Sequence, residues 1–543
     1  MSGIMRVSAD LAMINGKIVT VDPDDSVAEA LAAKFGRIIA VGRNEAIKAL
    51  ISGETRVIDL HGRTVLPGLI DSHCHMMARG ARRVMGVLDL SQEAGVRSIE
   101  DIKARIKEKA ESTPEGEWIF GDLEDDSKLL EKRHPTRCDL DEAALHHPVM
   151  ISTVGGHFYI TNTKALEMAG ITEETPDPVG GVFERNSEGE LTGGLYERAR
   201  MMVMPEYSGR EPTRMEAMEG ARTILRENAA VGLTCVYDMV NASQIRAVLG
   251  LKNRGELPIR VRMDASIELF PELKGLGIIQ GLGGEWVRLC GLKVFFDGAI
   301  SARTAALSEP YLNRPDFYGV MATTREEMRK IILNAYEAGY RISAHANGDR
   351  AIEMFLDIME EVQEKYPRDD PRNRDIHCTV VTSELIRRIK ELGILPTIFG
   401  AYPYYHGDKI LPAFGAERLE WMFAARSFLD AGVKVAAHSD HSASPFPPLM
   451  GIHALVNRRT ERGVPIGESQ KITVKEAIKL YTINAAYHSF DEDEMGSIEV
   501  GKYADFVVLG EDILTVPPER IIDIPIDMTI VGGKIVYRRE ARS

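Results

Sequence analysis

Nine residues, Pro67 to His75, read Pro-Gly-Leu-Ile-Asp-Ser-His-Cys-His. Leu69 and Ile70 form a short apolar run that turn residues precede and polar residues follow, which predicts a brief buried strand ending in a loop. Residues two apart on an extended segment face the same side, so the imidazoles of His73 and His75 can converge on one point, as a divalent metal requires. Two histidines alone are a weak signal, and a bland surface or core pair is the better reading unless other residues answer them. The residues able to answer are Lys293, His345, His377 and Asp440, and they do so only if the elements carrying them meet.

After Leu69 to Ser72, strand-like runs recur at Leu233 to Tyr237, Ile259 to Met263, Leu292 to Phe296, Arg341 to Ala344, Asp375 to His377, Ile394 to Ile398 and Val433 to Ala437. Helix signals lie between several of them. Thr324 with Glu327 is a capping box, and Met328, Ile331, Ile332 and Ala335 share a face before Gly339. Similar spacings follow Asp349 and Ser383. Eight strands alternating with helices predict an α/β protein with a distorted TIM (β/α)8 barrel, whose active site lies at the C-terminal ends of its strands. On that fold His73 and His75 end strand one, Lys293 sits on strand four, His345 and His377 end strands five and six, and Asp440 follows strand eight. Histidines with a carboxylate at one barrel face are the ligands zinc prefers, with room for a reactive water.

The rhythm breaks between strands one and two. Residues 76–232 exceed a normal βα connection, so they are expected to form an insertion that acts as a lid or pocket wall. Both ends of the chain read as β structure. Leu11 to Ile14, the Asn15-Gly16 turn and Ile18 to Val21 carry a hairpin signal, and Gly-Lys-Ile-Val occurs at both Gly16 to Val19 and Gly533 to Val536. Neither end has enough apolar residues for its own core, which predicts one small β-sandwich domain built from 1–66 and 490–543, with the barrel of 67–489 inserted between them.

The chain has 543 residues and a net charge of -15, from 66 basic and 81 acidic side chains, with no basic stripe, which argues against a nucleic-acid partner. The five cysteines are odd in number, scattered and without a CxxC pair, the pattern of reduced thiols. The N-terminus carries one early arginine but Asp10 interrupts any apolar core, so no secretory signal is expected, and no apolar stretch is long enough to span a bilayer. A cytoplasmic protein with no membrane partner is the expectation.

These residues carry a resemblance. The chain resembles the amidohydrolase superfamily, with His-x-His on strand one, Lys or Glu on strand four, His on strands five and six, and Asp on strand eight. More closely it is similar to amidohydrolase family 3, the N-substituted formamide deformylase-like branch. Its marks are Pro67 to His75, Gly180 to Glu184, Lys293 with Asp297-Gly298, Arg303-Thr304-Ala305, His345 with Gly348-Asp349-Arg350, His377, Ser439-Asp440 and Gly496 to Asp505. The resemblance implies one or two divalent ions, zinc by preference, held by His73, His75, His345 and His377 with Asp440. Lys293 joins them if carbon dioxide converts it to an anionic carbamate, since an ammonium cannot ligate a cation. The alternative for Lys293 is an ion pair with Asp297. Asp440 is expected to take a proton from metal-activated water and return it to the leaving nitrogen. The implied activity is hydrolysis of a carbon-nitrogen bond in a small non-peptide amide. A homodimer is one expectation for the assembly, and the oligomeric state stays open.

Departures from the family pattern are also present. Ile376 stands where a glutamate often precedes the strand-six histidine, and the usual Gly-Ser-Asp reads His438-Ser439-Asp440 with His441 after it. The roles of His438 and His441 stay open. Candidate substrate-pocket residues are His157, Phe296, Arg303, Tyr402, Tyr404, His406 and His441, with Tyr402 to Asp408 expected as a loop forming an aromatic wall. Competing readings are a deaminase of a cyclic amidine, a barrel without catalysis serving as an assembly or regulatory protein, and Schiff-base chemistry at Lys293.

Overall fold

Eight parallel strands build a nearly closed barrel in chain order: Leu69–Cys74, Leu233–Val240, Arg260–Ser266, Val287–Phe295, Ile342–Ala346, Arg374–His377, Leu395–Phe399 and Ala436–His438. This computed structural model describes residues 8–204 and 210–540; residues 1–7, on which the reading of the extreme N-terminus partly rests, lie outside the described residues. All eight expected strands are present, with ends shifted by a few residues. The TIM-barrel expectation therefore holds.

Strands one and eight are the edges of this sheet, and side-chain and backbone hydrogen bonds close the seam between them. Ser72 Oγ donates to the Ala437 carbonyl (2.8 Å), and the Asp440 amide donates to the His73 carbonyl (3.0 Å). Asp71 accepts from both the amide and the hydroxyl of Ser439. Deeper in the barrel three buried arginines are held in ion pairs. Arg262 meets Asp491 (2.6 Å), Arg260 meets Asp505 (2.7 Å), and Arg374 meets Asp264 (2.8 Å) while also donating to the Ser72 carbonyl. Unpaired, any one of these buried charges would cost several kcal/mol, on the order of 3–5.

The outer helices follow their sequence signals. Arg325–Glu337 starts at the Thr324 capping box, and Asp349–Lys365 buries Ile352, Phe355, Leu356 and Met359 against the barrel. The segment after strand one holds a six-stranded sheet of its own, running from Leu88–Asp89 to Leu191–Glu197, so it is a folded layer rather than a loop. It ends in the helix Arg214–Ala230, which packs on Met76–Val84, where Gly80 and Gly220 let the two backbones touch.

Strands from both chain ends share a six-stranded sheet, in which Phe506–Leu509 lies antiparallel to Thr64–Pro67. A four-stranded sheet packs on it through Leu11, Met13, Leu31, Phe506, Val508 and Ile530. The expected hairpin of Leu11 to Val21 does not form. Leu11–Ile14 pairs with Ala30–Lys34 and Arg56–Asp59 in the four-stranded sheet, whereas Lys17–Val19 belongs to the six-stranded one. Asn15 takes the positive φ of 56°, but Gly16 passes beneath Leu60, where a Cβ would stand 2.2 Å from Leu60 Cδ1. The turn thus carries the chain between layers instead of doubling it back. The local hairpin is Ala30–Lys34 with Arg37–Gly42, and its turn residues Phe35 and Gly36 both have positive φ, as a two-residue hairpin loop needs.

The described cysteines are all free thiols. Among the described residues no helix is long and apolar enough to cross a membrane.

Candidate active site

The C-terminal ends of the barrel strands bring His73, His75, Lys293, His345, His377 and Asp440 together. Asp440 Oδ1 lies 3.4 Å from His73 Nε2 and 3.3 Å from His75 Nε2, yet it is buried without a hydrogen-bond partner among the described residues. Lys293 Nζ stands 3.3 Å from His73 Nε2, and His377 Nε2 stands 3.1 Å from His345 Nδ1. These separations match the edges of a tetrahedron whose centre is about 2.0–2.1 Å from each ligand atom. One ligand atom each from His73, His377 and Asp440 falls within 4.8 Å of the others. The donor set therefore fits a divalent ion.

The electrostatics agree. Burial pulls His73, His345 and His377 well below the ordinary imidazole value, so they carry the lone pairs that a cation needs. Burial opposes the charge of Asp440, but the close approach of His75 and the positive field of His438 and Lys293 outweigh it, and its carboxyl stays below the usual range. Burial drops Lys293 to about 7. It does not pair with Asp297, whose carboxylate is taken up by the backbone amides of Ala306, Asn347 and Gly348.

Backbone geometry aims two of these groups. His377 and Asp440 have φ of 82° and 52°, a region that non-glycine residues occupy at a cost of about 1–3 kcal/mol. The seam bond from the Asp440 amide to His73 holds one of them there. His345 is steadied by Asn347 Nδ2 and the Gly298 carbonyl, each 3.1 Å from its Nε2.

A cavity of about 770 Å³ opens over the cluster, with His75, His157, Phe295, Asp297, His345 and Asp440 in its lining. The inserted layer supplies one wall through Gly155 to His157 and Glu197 to Met201, with the Tyr159 ring beside them. His157 Nδ1 is 2.8 Å from Glu197 Oε2. Burial works against a charge on His157, but Glu197 prevails and holds it above its ordinary value. Of the other pocket candidates, Phe296 faces away, edge-on to Phe355, because Lys293 and Phe295 share the inward side of strand four. Tyr402 to Tyr405 is a short helix rather than a loop. Tyr402 packs on Phe399 and His406, Tyr404 on His453, and His406 Nε2 donates to the Ala443 carbonyl, so none of the three lines this cavity. His441 meets the site through its backbone carbonyl, which accepts from the His75 amide, while its ring lies against Phe446. Arg303 lines a separate, neighbouring cavity.

The family profile described as the amidohydrolase family matches residues 56–537. The chain belongs to the amidohydrolase family. As an amidohydrolase it is a hydrolase acting on carbon-nitrogen bonds. YtcJ of Bacillus subtilis (strain 168) is 30% identical over 539 residues, covering 96% of this chain and 98% of that protein. The N-substituted formamide deformylase of Arthrobacter pascens is 29% identical, covering 98% and 99%. Among solved structures, an uncharacterized metal-dependent hydrolase from Pyrococcus horikoshii OT3 has a TM-score of 0.75 at 27% identity, covering 94% of this chain and 99% of that one.

Some features of this amidohydrolase site were left open by its sequence or missed in it. His438 is fully buried, with its ring 5.0 Å from that of His377 and 5.7 Å from that of His73, and neither ring nitrogen has a partner among the described residues. Its place two residues before Asp440 is the signal that was available. Asp71, two before His73, offered the same clue. Nothing in the sequence points to Glu197, which reaches His157 from another strand.

Proposed function

We propose that this amidohydrolase is a metal-dependent hydrolase of a small N-acyl or N-formyl amine. The observation that carries the reading is Asp440 Oδ1, ionised, buried, unpartnered and 3.3–3.4 Å from two imidazole nitrogens. His73, His75, His345, His377 and Asp440 would hold one or two divalent ions, zinc by preference, with Lys293 as a bridging carbamate. A divalent ion there supplies Lewis acidity, which brings the pKa of water to about 7 and polarises an amide carbonyl.

The chain's own groups do the rest. Asp440 accepts the proton that the attacking water loses and delivers it to the leaving nitrogen. His157, kept protonated by Glu197, donates to the carbonyl oxygen as it gains charge. Phe295, Met239, Met328 and Ile331 give the amine substituent an apolar seat. The activity named for the Arthrobacter pascens relative supports a formamide as first substrate.

The test is metal analysis of the purified protein, followed by a screen of N-formyl and N-acetyl amines that reads carboxylic acid and amine release. A protein without stoichiometric metal, or one that releases ammonia from cyclic amidines and leaves amides intact, overturns the proposal.

A further inference from the structure

A second cavity of about 360 Å³ lies beside the catalytic one, behind a wall one residue thick. Val154 and Tyr196 face the second cavity, while their chain neighbours Gly155 and Glu197 face the first. Gly155 and Gly156, at φ of 86° and 70°, make the partition, and a Cβ on Gly155 would stand 3.4 Å from Ser301 Oγ on the far side.

The charges in this cavity do not balance. Lys409 is neutralised by Asp125 and Asp126, His134 by Glu124, and Arg133 by Asp139. Glu184 accepts from Thr192 and Tyr196, both neutral, so it keeps one negative charge in the cavity against the remaining cations. Arg303 and Arg314 remain. Neither guanidinium has a hydrogen-bond or ion-pair partner among the described residues, and Arg314 only rests on the Phe317 ring at 4.1 Å. Lys132 adds a third cation, satisfied only by the Ser127 carbonyl. Arg303 is half-buried and held at φ of 57°, so the chain spends conformational strain to place an unpaired cation in a polar cavity of a protein with net charge -15.

We propose that this cavity is a binding site for a small carboxylate, held by Arg303 and Arg314. Guanidinium groups bind carboxylates through paired, charge-assisted hydrogen bonds, and the volume suits a ligand of a few carbon atoms. The ligand is either a free dicarboxylate or the monocarboxylic acid that amide hydrolysis releases next door. Either is felt across the partition, because Thr304, next to Arg303, donates to Glu197 Oε1 (2.7 Å), and Glu197 holds His157. The second source rests on the proposed amide hydrolysis, and binding itself is measurable without turnover.

The experiment is calorimetric titration of the metal-loaded full chain, at fixed ionic strength, with sodium succinate in one arm and sodium acetate in the other. Saturable one-site binding is expected, weakened by about tenfold or more in both Arg303→Gln and Arg314→Gln. It should be unaffected by Arg198→Gln on the catalytic rim. Preference for succinate marks a free dicarboxylate, and equal or better binding of acetate marks the product acid. Arg314 is exposed, so its variant serves if Arg303→Gln does not fold. Absence of saturable binding in both arms overturns the proposal, as does binding that the arginine variants leave unchanged. Binding that disappears when the metal is removed places the anion on the metal and overturns it equally.

Discussion

The carboxylate of Asp71 accepts two hydrogen bonds from Ser439, 3.1 Å from its amide and 2.5 Å from its hydroxyl, across the seam between the first and last barrel strands. His73 lies two residues beyond Asp71, and Asp440 lies one beyond Ser439. This pair therefore fixes the separation of a candidate ligand and the candidate proton shuttle. Asp71→Ala strands a buried amide and hydroxyl, at a cost of about 1–3 kcal/mol. The expected result is a lower melting temperature and a fall in kcat with little change in KM. Asp71→Asn, which keeps one acceptor, should fall between the two. Wild-type kcat in a folded Asp71→Ala protein would remove any positioning role.

His73 touches both Asp440 and Lys293, so His73→Ala removes a candidate ligand atom at the centre of the cluster. The expected outcome is loss of tightly bound metal by elemental analysis, at least tenfold weaker affinity against a chelator (about 1.4 kcal/mol or more), and an unchanged circular dichroism spectrum. The buried His73 side chain leaves a cavity, so the spectrum is the necessary control.

Lys293, at about 7, is largely neutral above that pH and protonated below it. Only the neutral amine attacks carbon dioxide, so carbamate formation should rise between pH 6 and 8. With labelled bicarbonate, a carbamate carbon signal is expected at the higher pH, weak at the lower, and absent in Lys293→Met. Short carboxylic acids should partly restore activity to Lys293→Ala.

His157 is raised above its ordinary value by Glu197, so it keeps its proton to higher pH than a free imidazole and loses it as pH rises further. His157→Gln should lower kcat by about tenfold to a hundredfold. Glu197→Gln should move the alkaline limb of the activity profile to lower pH, since the carboxylate that retains the proton is gone. An unmoved limb would show that the Glu197 contact at 2.8 Å has no bearing on the protonation of His157.

Much of this arrangement was legible because strand ends and candidate ligand residues coincide. The apolar runs of the barrel strands stop just where His73, His345 and His377 begin, and a barrel gathers strand ends at one face. What failed was phase and context. Phe296 was placed in the pocket and Phe295 belongs there, a slip of one residue that reverses the face of a strand. Tyr402 and Tyr404 formed no wall because their segment coils into a helix against Phe399, and aromatic content does not reveal which way a helix turns. The Asn15-Gly16 signal named a turn correctly but not its destination, since Leu60, far along the chain, decides that Gly16 passes between sheets. Glu197 was invisible for the same reason: its partner His157 is met through sheet pairing inside the inserted layer.

Asp440 separates binding from chemistry. Its Oδ1 approaches His73 and His75, and its backbone is held at φ of 52° by the amide bond to His73, so replacing the carboxylate alone leaves the supports in place. Asn preserves size and one acceptor oxygen but cannot take a proton near neutral pH. A shuttle acts mainly in the transition state, so Asp440→Asn should bind an N-formyl amine about as well as the wild type while kcat falls by about a hundredfold or more. Metal content should persist on the histidines. The carboxyl is kept below its ordinary value, so wild-type activity should hold through weakly acidic pH until the histidines or the carboxylate are protonated, and the limb belongs to the coupled cluster rather than to one group. Asp440→Asn should flatten that limb, because the variant has no carboxylate to protonate. Hydrolysis by Asp440→Asn at the wild-type rate would rule out the shuttle even with every metal ligand correctly assigned.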